Sequence, residues 1–315
     1  MRRNKLFFFF IDGIGLGENN ADRNPLIHLF HPFIRPHLYI RDHVPFTEKS
    51  VVLLPVDAGL GIRGIPQSAT GQTTIMTGIN AAEILGYHLL AFPNQKLLPL
   101  IREHSVFKTL TEKGAAVTSA NLYSRSFFDE RKKRRRNMFP VSTLSIEAAG
   151  IEFRYIDDYS RGEAVFADIT NDMLIDRGYP VQQISPHEAG QRVLNIFNSH
   201  DLVFFEYFLT DTYGHSRERE KIVHSVEVIN QFLSSIWEGS DGEIDIMVIS
   251  DHGNAEDMET GDHTHNKVPF LLLSPAAAEL APLWTKVKSL TDISSFVLDY
   301  FNGFPEHPYP RAADK

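Results

Sequence analysis

Six short runs of almost unbroken apolar residues set the pattern of this chain: Leu6–Ile11, Val51–Val56, 115–120, 201–207, 244–249 and 270–273. A strand with one wet face alternates apolar and polar residues, whereas a strand covered on both faces reads as a continuous run. Helical patterns lie between several of these runs. Ser185-Pro-His-Glu188 is a capping box with proline at the first helical position, opening a helix to about Phe197. From Lys221 to Trp237, apolar residues at 222, 223, 226, 229, 233 and 236 mark one face of an amphipathic helix. Strands alternating with helices predict an α/β fold. Its sheet is expected to be doubly wound and mostly parallel, with helices on both faces and ligands collecting beyond the carboxyl ends of the strands.

The 315 residues allow one large domain with a small insertion. Residues 1–83 and 180–315 read as the core. Residues 84–179 read as part core and part small cap, with a β-rich tail at 151–156 and 164–169. The basic run Arg131-Lys-Lys-Arg-Arg-Arg136 reads as a solvated loop, with steering of an anionic substrate as the alternative. A formal net charge of −9 argues against general nucleic-acid binding. With no cysteine, thiolate metal sites, disulfides and cysteine nucleophiles are excluded. The amino-terminal apolar run meets Asp12 too soon for a signal peptide or a membrane span, so a cytoplasmic protein without a membrane partner is expected. The Pro305–Lys315 tail is expected to be frayed.

Chemistry concentrates where the strands end. The run 244–249 leads into Ser250-Asp-His-Gly-Asn254, then Gly261-Asp-His-Thr-His265, then the last apolar run. Asp251, His252 and His263 thus offer a divalent cation fixed ligands of two kinds, with a solvated polar loop as the bland alternative. Asp12 follows the first run, and Asp211-Thr-Tyr-Gly-His215 follows the fourth, with Gly214 expected to break any helix before His215. Three acids and three histidines suffice for two metal sites. Ser68, in Gln67-Ser-Ala-Thr-Gly-Gln72, is either a helix N-cap or a nucleophile beside a metal. Gly13-x-Gly15-x-Gly17 lacks the spacing of a dinucleotide fingerprint and reads as room for a turn beneath a metal.

Taken in order, Ile11-Asp-Gly-Ile-Gly-Leu-Gly17, Ser68-Ala-Thr-Gly-Gln72, Asp211-Thr-Tyr-Gly-His215, Ser250-Asp-His-Gly-Asn254 and Asp262-His-Thr-His-Asn-Lys-Val-Pro269 resemble the alkaline phosphatase superfamily. The resemblance is closest to its metalloenzyme branch, with cofactor-independent phosphoglycerate mutase and phosphopentomutase. It implies that Asp12, Asp251 and His252 hold one metal, with Ser68 as nucleophile and ligand beside it. Asp211, His215 and His263 would hold the second. Ser68 is preferred to Thr70 and Thr73 by its place before Gly71, and His263 to His265 by the Asp-His-Thr and Val-Pro that frame it. His265 is then a loop or supporting residue.

The function so implied is phosphoryl transfer by two divalent ions, manganese or zinc, on a small phosphorylated substrate. The metals are expected on the order of 4 Å apart. The stretch between Ser68 and Asp211 is short for the large inserted domain of the phosphoglycerate mutases, and their Asn-Ser-Glu-Val-Gly-His signature is absent. Both departures favour a phosphomonoester hydrolase working through phosphoserine, with a phosphomutase as the alternative. A non-catalytic metal-binding protein of the same fold is the second alternative. Sulfatase chemistry is disfavoured, since Ser68 lacks a Ser-x-Pro-x-Arg context.

Overall fold

The structure, a computed structural model, describes residues 4–34, 39–133 and 138–302. The side chains of the basic run and the Pro305–Lys315 tail lie outside the described residues. Among the described residues seven strands form one sheet: β1 (Leu6–Ile11), β2 (Phe46–Glu48), β3 (Val51–Val56), β4 (Val117–Ser119), β5 (Leu202–Tyr207), β6 (Asp245–Ile249) and β7 (Val268–Leu273). Their order is β2-β3-β7-β6-β1-β5-β4.

β1 lies inside the sheet, between β6 and β5, because it can be covered on both sides. Phe7, Phe9 and Ile11 enter one core, while Leu6, Phe8 and Phe10 enter the other. Full burial of such a side chain contributes about 1.5–3 kcal/mol, so a charge placed on either face of β1 would unfold the chain. The first face is covered by helices Pro186–Ile196 and Arg219–Gly239. Phe232 packs its ring 5.9 Å from Phe7 and 5.4 Å from Phe205. The second is covered by Ser68–Thr77, Leu97–His104, Val106–Glu112, Val141–Ala148 and Thr291–Phe301. The capping box stands as expected, with Glu188 N–H donating to Ser185 Oγ at 3.2 Å and Ser185 N–H to Glu188 Oε2 at 2.8 Å.

The sheet is mixed, and the difference has a local cause. β6, β1, β5 and β4 run parallel, but β7 is antiparallel to both β6 and β3. Residues 250–267 contain no helix, so the chain leaving β6 never crosses the sheet and re-enters from the same end. Two further expectations are corrected. Residues 151–156 and 164–169 are not strands; they make isolated bridges, Leu122 with Arg154 and Asn121 with Val165, and Ile156–Ser160 is helical. Val223 faces outward rather than joining the buried stripe of its helix. Among the described residues, no helix is long and apolar enough to cross a membrane.

Candidate metal centre

Three parallel strands deliver acids to one edge of the sheet. Asp12 directly follows β1, Asp251 follows β6 by one residue, and Asp211 lies just past β5. The 209–216 segment is helical, contrary to the helix break expected at Gly214. That glycine is required by crowding: a Cβ there would sit 2.5 Å from Asn254 Oδ1. One helical turn therefore sets His215 above Asp211, with Nε2 3.3 Å from Asp211 Oδ2. Gly13, at φ +68°, lets the loop after β1 pass where a Cβ would meet Asp211 at 2.7 Å.

Ser68 is the first residue of its helix, not the cap; Gln67 occupies the cap and makes no side-chain cap bond. Ser68 Oγ lies 3.0 Å from His252 Nε2, and the same nitrogen is 3.4 Å from both Asp12 Oδ1 and Asp251 Oδ2. The ring's other nitrogen lies 4.0 Å from Asp211 Oδ1, and His263 Nε2 is 3.5 Å from that oxygen. The structure thus brings all seven sequence candidates to one place. Asp12, Asp251 and His252 form one group able to hold an ion, and Asp211, His252 and His263 another. His265 is exposed.

Electrostatics separates the two groups. Burial, with Asp251 and Asp211 nearby, holds Asp12 well above its ordinary range, and burial pushes Asp251 up to about 7. His252, sealed from water, falls to about 4. Burial also works against Asp211, but the His215 hydrogen bond, His252 and Asn254 outweigh it and hold it at about 2. In return the Asp211 hydrogen bond lifts His215 to about 9.

The residues fit divalent cations. Asp12 Oδ1, Asp251 Oδ1 and His252 Nδ1 are buried without a hydrogen-bond partner among the described residues. His215 Nδ1 and His263 Nδ1 lie 2.7 and 2.9 Å from the carbonyls of Gly261 and Pro66. Donation to those carbonyls turns each Nε2 toward the centre, where the two are 3.1 Å apart. A cation held there would be bound by these nitrogens in their deprotonated form.

Over residues 167–303 the chain matches the profile of the Metalloenzyme superfamily. It is 30% identical over 132 residues to 2,3-bisphosphoglycerate-independent phosphoglycerate mutase of Nitrosococcus oceani, covering 38% of this chain and 24% of that one. The corresponding protein of Thiobacillus denitrificans is 30% identical over 138 residues, covering 40% and 26%. The match to these relatives thus spans about a quarter of their length. The fold follows alkaline phosphatase from the Antarctic bacterium TAB5 at a TM-score of 0.54 and 10% identity, over 95% of this chain and 98% of that one. Residues 167–303 are thus similar to the Metalloenzyme superfamily, and the fold is that seen in an alkaline phosphatase. PH0037 protein from Pyrococcus horikoshii shares the fold over 98% of this chain and all of its own, with a TM-score of 0.56 and 12% identity.

Four further residues, none of them a candidate from the sequence, support the site. Glu256 is buried and accepts from Gly15 N–H at 2.9 Å, Asn254 N–H at 2.8 Å, Asn266 Nδ2 at 3.0 Å and the Thr264 hydroxyl. It thereby ties the loop after β1 to both arms of the 250–267 excursion. Asn254 donates to Asp211 Oδ1 at 2.8 Å. Gln72, one turn beyond Ser68 on the same helix, donates to Asp251 Oδ2 at 3.1 Å. Thr210 donates to the Asp12 carbonyl at 2.5 Å. The i, i+4 spacing of Ser68 and Gln72 is the one signal visible in the sequence.

Proposed function

We propose that this protein is a two-metal phosphomonoester hydrolase acting through a phosphoserine on Ser68. The observation that carries the reading is the Ser68 hydroxyl, set at the head of a helix beside His252 and the buried acids. It also lines a cavity of about 840 Å³ that Asp12 and Asp211 share. Asp12, Asp251 and His252 would hold an ion beside Ser68, and Asp211, His215 and His263 a second, manganese or zinc in either place. Bound there, divalent ions supply Lewis acidity that eases loss of the Ser68 proton and neutralises phosphate charge.

Ser68 Oγ attacks phosphorus, the ester oxygen leaves with a proton as the alcohol, and water then cleaves the Ser68–phosphate bond. The uncapped amino terminus of the Ser68 helix presents positive partial charge to an anionic phosphate. Glu256, Asn254 and Gln72 hold the acids in place, so little reorganisation is required during transfer.

A phosphomutase is the second reading, favoured by the names of the relatives matched over 38–40% of this chain. Hydrolysis is preferred because residues 97–148 supply helices to the sheet core, leaving little chain for a domain that would retain a product. The test is phosphate release from a panel of monoesters by manganese- or zinc-loaded protein, with Ser68→Ala and Asp251→Ala alongside. Turnover lost in both variants is expected. Isomerisation of a sugar phosphate or phosphoglycerate without phosphate release would establish the mutase. Turnover that survives Ser68→Ala would remove the phosphoserine route.

A further inference from the structure

The cavity that reaches Ser68 is walled by aromatic rings that phosphoryl transfer does not use. Phe92, Tyr123, Phe127, Phe166, Tyr179 and Phe208 line it, and they come from four separate segments of the chain. Two of those segments are tied to the site itself. Phe92 lies three residues past Leu89, which is bound to the head of the Ser68 helix. The Leu89 carbonyl accepts from Ala69 N–H at 3.1 Å, and Leu89 N–H donates to Thr70 Oγ1 at 3.3 Å. Phe208 directly follows β5, and its carbonyl accepts at 3.3 Å from the N–H of Thr212, the neighbour of Asp211. The elements that place Ser68 and Asp211 therefore also place rings beside them.

The other two segments hold their rings firmly. Tyr123, just beyond β4, packs edge-on 4.9 Å from Phe153 and 5.5 Å from Phe127, and Phe127 packs edge-on 5.1 Å from Phe128. Rings in such contact fix one another's planes. Phe166 precedes a turn in which Ile169 and Asn171 stand at φ +71° and +73°. A β-branched residue in that region is strained. Asp168 holds the turn by accepting from Asn171 N–H at 2.9 Å and from Met173 N–H at 2.6 Å. Strain of this kind concentrates at ligand sites, and here it sets Phe166 and Met173 on the cavity wall. Arg177, also on the wall, lies 5.9 Å over the Phe166 ring.

Fixed aromatic faces and a guanidinium plane recognise a flat π-system by stacking, whereas an alkyl group is held as well by leucine or isoleucine. We infer, resting on the phosphoester reading above, that the cavity is a specificity pocket for a planar aromatic ring carried by the alcohol part of the substrate, with the phosphate at Ser68. The test compares benzyl and 3-phenylpropyl phosphate, each against its cyclohexyl counterpart, on the metal-loaded full chain. The paired alcohols leave with nearly equal ease, and burial alone favours the more apolar cyclohexyl ring. In at least one pair, kcat/KM is expected to favour the phenyl ester by about fivefold or more, falling towards unity in Phe127→Leu. Equal or better use of the cyclohexyl ester in both pairs would overturn the pocket. So would a ratio unchanged in both Phe127→Leu and Phe166→Leu, and the second variant serves alone if the first does not fold.

Calorimetric binding of the same four esters separates the pocket from the hydrolase reading. If no ester turns over, tighter binding of a phenyl ester that Phe127→Leu or Phe166→Leu abolishes supports the pocket while the hydrolase reading fails. Equal binding of the paired esters, or none, then overturns the pocket as well. Turnover without preference for a phenyl ester leaves the hydrolase standing and removes the pocket.

Discussion

The two halves of the metal centre use the same residue types and have opposite electrostatics. Asp12, Asp251 and His252 are sealed, with carboxyls pushed up and the imidazole pushed down. Asp211 and His215 sit near solvent and hold each other ionised, at about 2 and about 9. The inner group is an unsatisfied set that needs a cation, whereas the outer pair already contains its own counter-charge. Burial of like charges costs stability, and the strand ends bear that cost where the chemistry is proposed.

The largest effect expected from this contrast is on metal content. Asp251→Ala should remove one of two bound ions and lower ester turnover by on the order of a thousandfold or more. His215→Ala should weaken the second ion while leaving partial activity that added metal restores. Elemental analysis alongside turnover at rising metal concentration checks both, and equal loss from the two variants would break the distinction. Glu256→Gln touches neither group directly but loosens three loops. A fall of about 10–100-fold in metal affinity is expected, read by competition with a chelator.

A smaller effect concerns the metal-free protein. Between 3.8 and about 7, folded Asp251 keeps a proton that the unfolded chain has lost, so stability falls as pH rises through that window. The outer pair acts in the opposite sense. The His215 contribution is full below 6.5 and lost as pH rises through about 9, while that of Asp211 is present above 3.8 and lost as pH falls through about 2. At pH 7.5, chelator-treated Asp251→Asn should therefore melt a few degrees higher than the unaltered protein, and His215→Ala lower. Melts that shift in the same direction would contradict the assigned charges.

Legibility in the sequence follows the same division. Asp12, Ser68, Asp211, His215, Asp251, His252 and His263 were readable because each lies within a few residues of a strand or helix end, in a short contiguous motif. Asn254 closes one of these motifs and Glu256 lies just past it, yet both act across loops, through partners at Gly15, Thr264 and Asp211 that no local spacing encodes. Helix 209–216 was hidden because Gly214 is there for close approach to Asn254, not to end a helix. The antiparallel β7 escaped notice because a strand covered on both faces has the same apolar run in either direction. Residues 151–156 and 164–169 read as strands from composition, but they make only isolated bridges beside the small cluster of Leu122, Tyr159 and Phe166.

The central claim is that Ser68 carries the phosphoryl group. Mass spectrometry of metal-loaded protein, quenched with acid during turnover of a phosphate ester, tests it most directly. The account requires one phosphoryl group on the peptide containing Ser68, absent before substrate is added and absent from Ser68→Ala. Sustained turnover with that peptide unmodified, or with the group on another residue, would contradict it.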